Sequence, residues 1–454
     1  MNRYYLVLSC FLVPFMVARG QLFGPQQVIN TLQIGPVHTY AADLDGDGDM
    51  DVLCSSSAGY SVDWYANDGS GNFGDRQIIS TSVEYPEAVR AADLDGDGDM
   101  DVLSASTDDD KVAWYENVGS GSFGPQQIIS TQGLAPISLD VADIDGDGDP
   151  DVLAASLWDD KIAWYANNGA GGFGPQQIIT QLADGAHSTF AADLDGDGDL
   201  DVLSASYSDN EIAWYANDGV GVFGPQQIIS TEASSAREVE AADLDGDGDL
   251  DVVSASSFDN KIAWYANDGA GVFGAQQIIS TAAEGAGAIQ TADLDGDGDV
   301  DVASASWTDG EVAWYANDGT GGFGPQQIIT DEAYYARSVY VADLNGDGEL
   351  DVISASSNDH KLAWHENIGS ITTGAPSYAK EFGRDPCPNP VVDILQLNSD
   401  AWRTATVIDM QGRTVLRQKL TTARLDVSGL APGSYSLQLW NGVDDAIPFR
   451  FIKR

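Results

Sequence analysis

Residues Asp43–Asp51 read D-L-D-G-D-G-D-M-D, five acids spaced by leucine, two glycines and methionine. Runs of the same kind start at Asp93, Asp143, Asp193, Asp243, Asp293 and Asp343, each 50 residues after the last. A fixed period of this size marks stacked supersecondary units, so the chain between these runs is a repeat architecture. Whatever the acids bind is therefore bound once per unit.

Five carboxylates in nine residues repel one another unless a cation lies among them. A hard divalent ion taking oxygen ligands relieves that repulsion, and the glycines let the backbone wrap it closely. Calcium accepts many carboxylate oxygens in loose geometry, whereas magnesium keeps its waters, and zinc would want His or Cys, which the loop lacks. The candidate ligands are Asp43, Asp45, Asp47, Asp49 and Asp51 in the first copy and Asp93, Asp95, Asp97, Asp99 and Asp101 in the second. The third and fourth copies offer Asp143, Asp145, Asp147, Asp149, Asp151 and Asp193, Asp195, Asp197, Asp199, Asp201. The fifth and sixth offer Asp243, Asp245, Asp247, Asp249, Asp251 and Asp293, Asp295, Asp297, Asp299, Asp301. The seventh has Asp343, Asn345, Asp347, Glu349 and Asp351, and both of its changes keep oxygen donors. Side chains are expected as ligands from positions one, three, five and nine, and a main-chain carbonyl from position seven. Up to seven calcium ions follow, one per unit. An EF-hand is excluded, because position twelve is Cys54 or Ser104 rather than Glu and the flanks read as strands rather than helices.

Around each acid run the unit carries further fixed text: D-V-L-S-A-S, a variable turn, K-I-A-W-Y-A-N, then N-D-G-x-G-x-F-G-P-Q-Q-I-I-S. Alternating and β-branched residues bounded by Gly, Asn and Asp read as four short strands per unit, with no helical period. Four strands repeated seven times predict an all-β chain built on a seven-bladed β-propeller. The acid run, the W-Y-A-N-D-G segment and the F-G element together resemble the FG-GAP or VCBS repeats and are similar to the calcium-bearing blades of integrin α-subunit propellers. That resemblance covers roughly residues 23–368 and implies that the calcium loop joins the first and second strands of each blade. Phe23–Ile29 opens the array with F-G-P-Q-Q-V-I, yet no such segment follows Trp364–Gly369. The N-terminal strand is therefore expected to complete the last blade and so remove its free edge.

The formal net charge is −51. Residues 21–379 hold 8 Lys+Arg against 63 Asp+Glu, while residues 380–454 hold 10 against 8, so the charge belongs to the propeller. Nucleic acid is excluded as a partner by that field. Residues 1–20 read as a cleaved export signal, with a basic start at Arg3, an apolar stretch and small residues at the end. No other segment is long and apolar enough to span a membrane as a helix. Residues 370–387 read as a linker. From 388 to 454 the chain resembles a type IX secretion C-terminal sorting domain, carried by P-N-P-V-V-D-I-L-Q-L, V-I-D-M-Q-G-R-T-V, L-A-P-G-S-Y-S-L-Q-L and a terminal F-I-K-R. The resemblance implies a small β-sandwich that engages outer-membrane secretion machinery in a Gram-negative bacterium, leaving a secreted or surface-held protein. After removal of the signal only Cys54 and Cys387 remain; Cys54 is expected as a buried free thiol.

Propeller geometry puts the acid loops and N-D-G-x-G turns on one face. The other face carries the second-to-third strand turns and the links between blades, where the units vary. Tyr85, Trp158, Tyr207, Phe258, Trp307, Tyr334 and Tyr335 all fall on that variable face. Two readings stay open for them: they cap blade edges, or they stack on sugar rings while nearby polar groups hold hydroxyls. The repeated tryptophans, Trp64 to Trp364, are expected in the blade core. The four histidines, His38, His187, His360 and His365, do not repeat and face no evident nucleophile, so no catalytic residue stands out. The expected protein is a monomeric, exported binding or adhesion module for an extracellular glycan or protein. The alternative is a polysaccharide-degrading hydrolase or lyase built on the same scaffold.

Overall fold

The computed structural model describes residues 22–369 and, nearer the C-terminus, residues 394–396, 404–409, 413–420, 424–430, 433–440 and 447–453. The expected export signal, the linker and Cys387 lie outside the described residues. The chain divides into two compact units, one formed by Gln21–Ile371 and the other containing Thr372–Arg454.

The larger unit is a seven-bladed β-propeller. In the first blade, strands β2 (Pro36–Ala42), β3 (Asp51–Ser56), β4 (Ser61–Tyr65) and β5 (Gln77–Ser80) pair antiparallel in that order. The pattern recurs every 50 residues. First strands of successive blades contact one another around the axis, and the last of them, Ala336–Ala342, returns to β2. The second strand is buried along its whole length in every blade, so D-V-L-S-A-S carries apolar and small residues on both faces. Outer strands are largely exposed, and there the first Ile of Q-I-I-S faces outward.

Strand β1 (Gln27–Asn30) pairs with Lys361–His365, with Gln27 opposite Trp364, and so becomes the fourth strand of the last blade. Phe23 bridges to Asn367, Gly24 N–H donates to Glu366 O at 2.7 Å, and Ile368 N–H donates to Leu22 O at 2.9 Å. The repeated tryptophans are core, as expected, with Trp64, Trp214 and Trp364 each about 3% exposed. Trp64, Trp114, Trp214 and Trp364 are met edge-on by the F-G phenylalanine of the following blade, Trp64 by Phe123 and Trp364 by Phe73. Phe23 makes the equivalent contact with Trp314 at 6.3 Å. Cys54 is a buried free thiol.

Hydrogen bonds stitch each blade to the next at both ends of the strands. On the acid-loop face, the Asn after W-Y-x donates its Nδ2 to the position-two carbonyl of the preceding blade at 2.7–2.8 Å; Asn67 closes the ring on Leu344. On the variable face, the turn residue Asp110, Asp160, Asn210 or Asn260 accepts the N–H of the residue that opens the next blade, and His360 Nδ1 does the same for Gly35. Along the inner strands, carboxylates of one blade accept backbone N–H groups of the next: Asp140 from Ala191, Glu238 from Ile289, and Glu240 from Thr291.

In the C-terminal unit, Thr414–Lys419, Thr404–Asp409, Gly433–Trp440 and Ile447–Lys453 form a four-stranded antiparallel sheet in that order. Ile394–Gln396 pairs with Arg424–Asp426 as a second, two-stranded sheet. Ala405, Val407, Leu420, Leu425 and Val427 are buried, so both sheets contribute to an apolar interior.

Two consequences are measurable. Deleting residues 21–30 should lower the melting temperature of the whole propeller in one transition, and Phe23→Ala alone should cost about 3 kcal/mol; an unchanged melt would refute ring closure. The Glu240 carboxyl is pushed up to about 8 by burial and by the charge of Glu238. A carboxyl raised on folding gives stability that is complete below its unfolded pKa, near 4.3, and lost as pH rises through about 8. Glu240→Gln should therefore gain on the parent as pH rises, its melting temperature standing about 1–3 °C higher relative to the parent at pH 8.5 than at pH 5; an equal difference at both pH values would refute the burial effect.

Candidate functional site

The acid loops bring three carboxylates together, those of positions one, three and nine in four of the loops. Oxygens of Asp43, Asp45 and Asp51 lie within 4.8 Å of one another, as do those of Asp93, Asp95 and Asp101, of Asp143, Asp145 and Asp151, and of Asp243, Asp245 and Asp251. In the fourth loop the grouped acids are Asp193, Asp195 and Asp197. Two glycines make this possible: Gly46 and Gly48 sit at φ of 77° and 98°, where a side chain would be strained. The turn is further shaped by Asp43, whose two oxygens accept N–H groups from Gly46, Asp47 and Gly48.

Position nine has a double role. Asp51 is fully buried, and its Oδ2 accepts from Leu44 N–H at 2.9 Å while Oδ1 accepts from Asn67 N–H at 2.8 Å. The same pair of bonds recurs in every blade, and each oxygen keeps a second lone pair for an ion. Burial pushes these carboxyls up, to about 7 for Asp51 and about 6 for Asp201. At position three, burial and the neighbouring acids raise Asp45, Asp145 and Asp195. One buried oxygen on each of these three has no hydrogen-bond partner. Buried, mutually repelling carboxylate oxygens without donors are what a hard cation satisfies, so this donor set fits a divalent metal. The position-seven carboxylate instead turns away against the N-D-G-x-G turn, as Asp49 does against Gly69.

The second feature lies at the axis. The seven first strands enclose a cavity of about 460 Å³, lined in turn by His38, Arg90, Asp140, His187, Arg237, Glu240, Arg337 and Tyr340 among others. The basic residues of the propeller sort sharply. Lys111, Lys161, Lys261 and Lys361 each pair with the Asp two residues before them, and Arg76 pairs with Asp63. The three that remain, Arg90, Arg237 and Arg337, all line the cavity.

At the variable-face mouth of this cavity Arg237 is held on all sides. Its guanidinium lies 4.5 Å from the ring centres of both Tyr207 and Trp307. Nη1 donates to His187 Nε2 at 2.7 Å, and Nε donates to Ser257 Oγ at 3.3 Å. His187 returns its Nδ1–H to Arg237 O at 2.7 Å, so it is the neutral Nδ1–H tautomer; burial and then the Arg237 charge push it down to about 3. Arg237 is itself lowered to about 10 by burial and then by the charge of Arg337, and stays a cation. Arg337 donates to Glu87 at 2.7 Å. Trp307 stacks on Tyr335 and lies over the backbone of Gly285 and Gly287; a Cβ at Gly287 would come within 2.8 Å of the indole. Other blades carry Val37, Glu87, Ile137, His187, Arg237 and Arg337 at that position, so glycine makes room for the ring. Tyr335 holds φ of 65°, and Tyr85 holds 58° at the equivalent place, an uncommon conformation for a tyrosine.

Of the aromatics singled out on the variable face, the structure joins Tyr207, Trp307 and Tyr335. Trp158, Phe258 and Tyr334 are more than 60% exposed, and they and Tyr85 make no ring contact among the described residues. Sequence reasoning missed Glu87, His187, Arg237 and Arg337. Their signal was available: within near-identical units, positions 37, 38 and 40 and their 50-residue equivalents diverge inside an otherwise regular strand.

In sequence, residues 43–104, 93–154, 143–204, 193–254, 243–304 and 293–354 match the FG-GAP-like repeat, together more than half of the chain. Residues 387–453 match the secretion system C-terminal sorting domain. No curated protein matches the chain in sequence. Among solved structures, an Agrocybe aegerita lectin described for specific recognition of non-reducing terminal N-acetylglucosamine is similar at 22% identity and a TM-score of 0.51, over 72% of this chain and 86% of that one. BBS1N, solved in complex with ARL6DN, is similar at 10% identity and a TM-score of 0.54, over 77% of this chain and 97% of that one. Both likenesses are to the propeller fold. With an acid loop, W-Y-x-N staple and F-G element repeating through seven blades, this chain belongs to the FG-GAP-like repeat family and carries a type IX C-terminal sorting domain.

Proposed function

We propose that this protein is an exported, calcium-loaded propeller that binds an extracellular glycan at the variable-face mouth of its axis. The observation that carries this reading is the preassembled platform of Tyr207, Trp307 and Tyr335 around Arg237. Rigid aromatics beside fixed polar groups suit sugar rings, which offer apolar C–H faces and hydroxyls together. The lectin with a similar fold is in keeping with it. Export fits the C-terminal sorting domain, with residues 1–20 as the signal, the propeller at 21–369 and a linker at 370–387. Calcium would be held by the side chains of positions one, three, five and nine and the carbonyl of position seven, tying each loop to its blade. A hydrolase or lyase reading has one point in its favour, the carboxyls of Asp140, Glu238 and Glu240 at the cavity. Each is engaged by a backbone N–H of the next blade, which is a stitching role.

Chelation should lower the melting temperature, since each site at ten times its dissociation constant adds about 1.4 kcal/mol; a melt unchanged in chelator would end the structural-calcium reading. On a glycan array with calcium present, the full chain should bind a defined sugar class. Trp307→Ala should weaken that binding about tenfold or more, while Trp158→Ala, outside the cluster, should change it little. Equal losses from the two would place the site elsewhere on this face, and release of sugar product would favour the enzyme.

A further inference from the structure

We infer that the axial mouth binds a carboxylated sugar, with the carboxylate held between Arg237 and Arg337. Resting on the glycan reading above, this names the class of sugar. The propeller carries 63 acids against 8 bases, yet the mouth gathers two guanidiniums against the single carboxylate of Glu87, beside a neutral His187. Both line the same opening, and Arg337 is close enough to disfavour the charge on Arg237. Two like charges in a desolvated, aromatic-walled opening are costly unless an anion joins them.

The donors such an anion needs are free. Nη2 of Arg237, and Nε and Nη1 of Arg337, make no hydrogen bond among the described residues. Glu87 marks where a carboxylate sits, since it already occupies one arm of Arg337 at 2.7 Å. A planar guanidinium fork matches a planar carboxylate, and stacking against Tyr207 and Trp307 fixes the plane of Arg237 in advance. The acidic surroundings narrow the class further. A net excess of one positive charge at the mouth accepts a single carboxylate, whereas a polyphosphate would face the repulsion of the whole propeller. At the mouth the charged group meets the guanidiniums while the sugar ring meets Tyr207 and Trp307.

The test uses the full chain with calcium and titrates galacturonate oligomers too short to gel with calcium, their methyl esters, and a glutamate oligomer of equal charge. The free acid should bind at least about tenfold more tightly than the ester, and Arg337→Gln should erase that difference while leaving ester affinity unchanged. Glu87→Gln, which removes the internal competitor, should tighten the acid and not the ester. Glu87→Gln keeps side-chain size, and an unchanged melting temperature for each variant shows that the fold is retained. Equal affinity for acid and ester, or no effect of Glu87→Gln, would overturn the carboxylate site while leaving a glycan site at the mouth. A glutamate oligomer that binds as tightly as the sugar acid would overturn the sugar assignment. Binding of any probe that survives Trp307→Ala unchanged would overturn the mouth itself and, with it, the reading on which this inference rests.

Discussion

The interaction on which the molecule depends is the buried carboxylate at the ninth position of each acid loop. Asp51 and its six equivalents accept one N–H from their own loop and one from the Asn that follows the third strand. That Asn in turn reaches the preceding blade's loop. A carboxylate buried without donors would be untenable, and here both oxygens are met by backbone groups. The same residue therefore ties loop to blade and blade to blade, and its remaining lone pairs are placed where a cation among the loop's acids would meet them. One side chain thus serves ring assembly and the acid loop together, and the acids recur in strict register with the tryptophans and phenylalanines.

The architecture was legible because it is periodic. A 50-residue repeat of acid loop, W-Y-A-N and F-G admits few folds, and the lone F-G segment before the first blade revealed the closure. Trp64 to Trp364 could be placed in the core on spacing alone. The axial mouth was not legible in that way, because it is made of what does not repeat. Val37, Glu87, Ile137, His187, Arg237, Gly287 and Arg337 share one register position but no common chemistry, and only the ring brings them together. The aromatic candidates were found by type, yet their grouping depended on Gly285 and Gly287, whose lack of side chains lets Trp307 fold inward. Sequence periodicity thus reports the scaffold, and its local failures report the site.

The first blade shows a second departure from the repeat. Gln33, Ser61, Asp63 and Arg76 replace residues that are apolar, charged differently or amide elsewhere, and together they form a buried network around Asp63 with Tyr65. A buried ion pair of this kind adds little net stability but penalises any arrangement that separates its members. In a chain of seven similar blades, such a network marks one of them as different from the rest.

Ring closure also decides how the propeller carries load. Because Gln27–Asn30 covers Lys361–His365, the last strand before the C-terminal region is an interior strand with neighbours on both sides. Whatever tension arrives through the tail enters there, along the strand, and acts on two hydrogen-bonded ladders in shear rather than peeling a free edge one bond at a time. The segment Gln27–Asn30 thus clamps the last blade, so a pull arriving through the tail is spread into the ring.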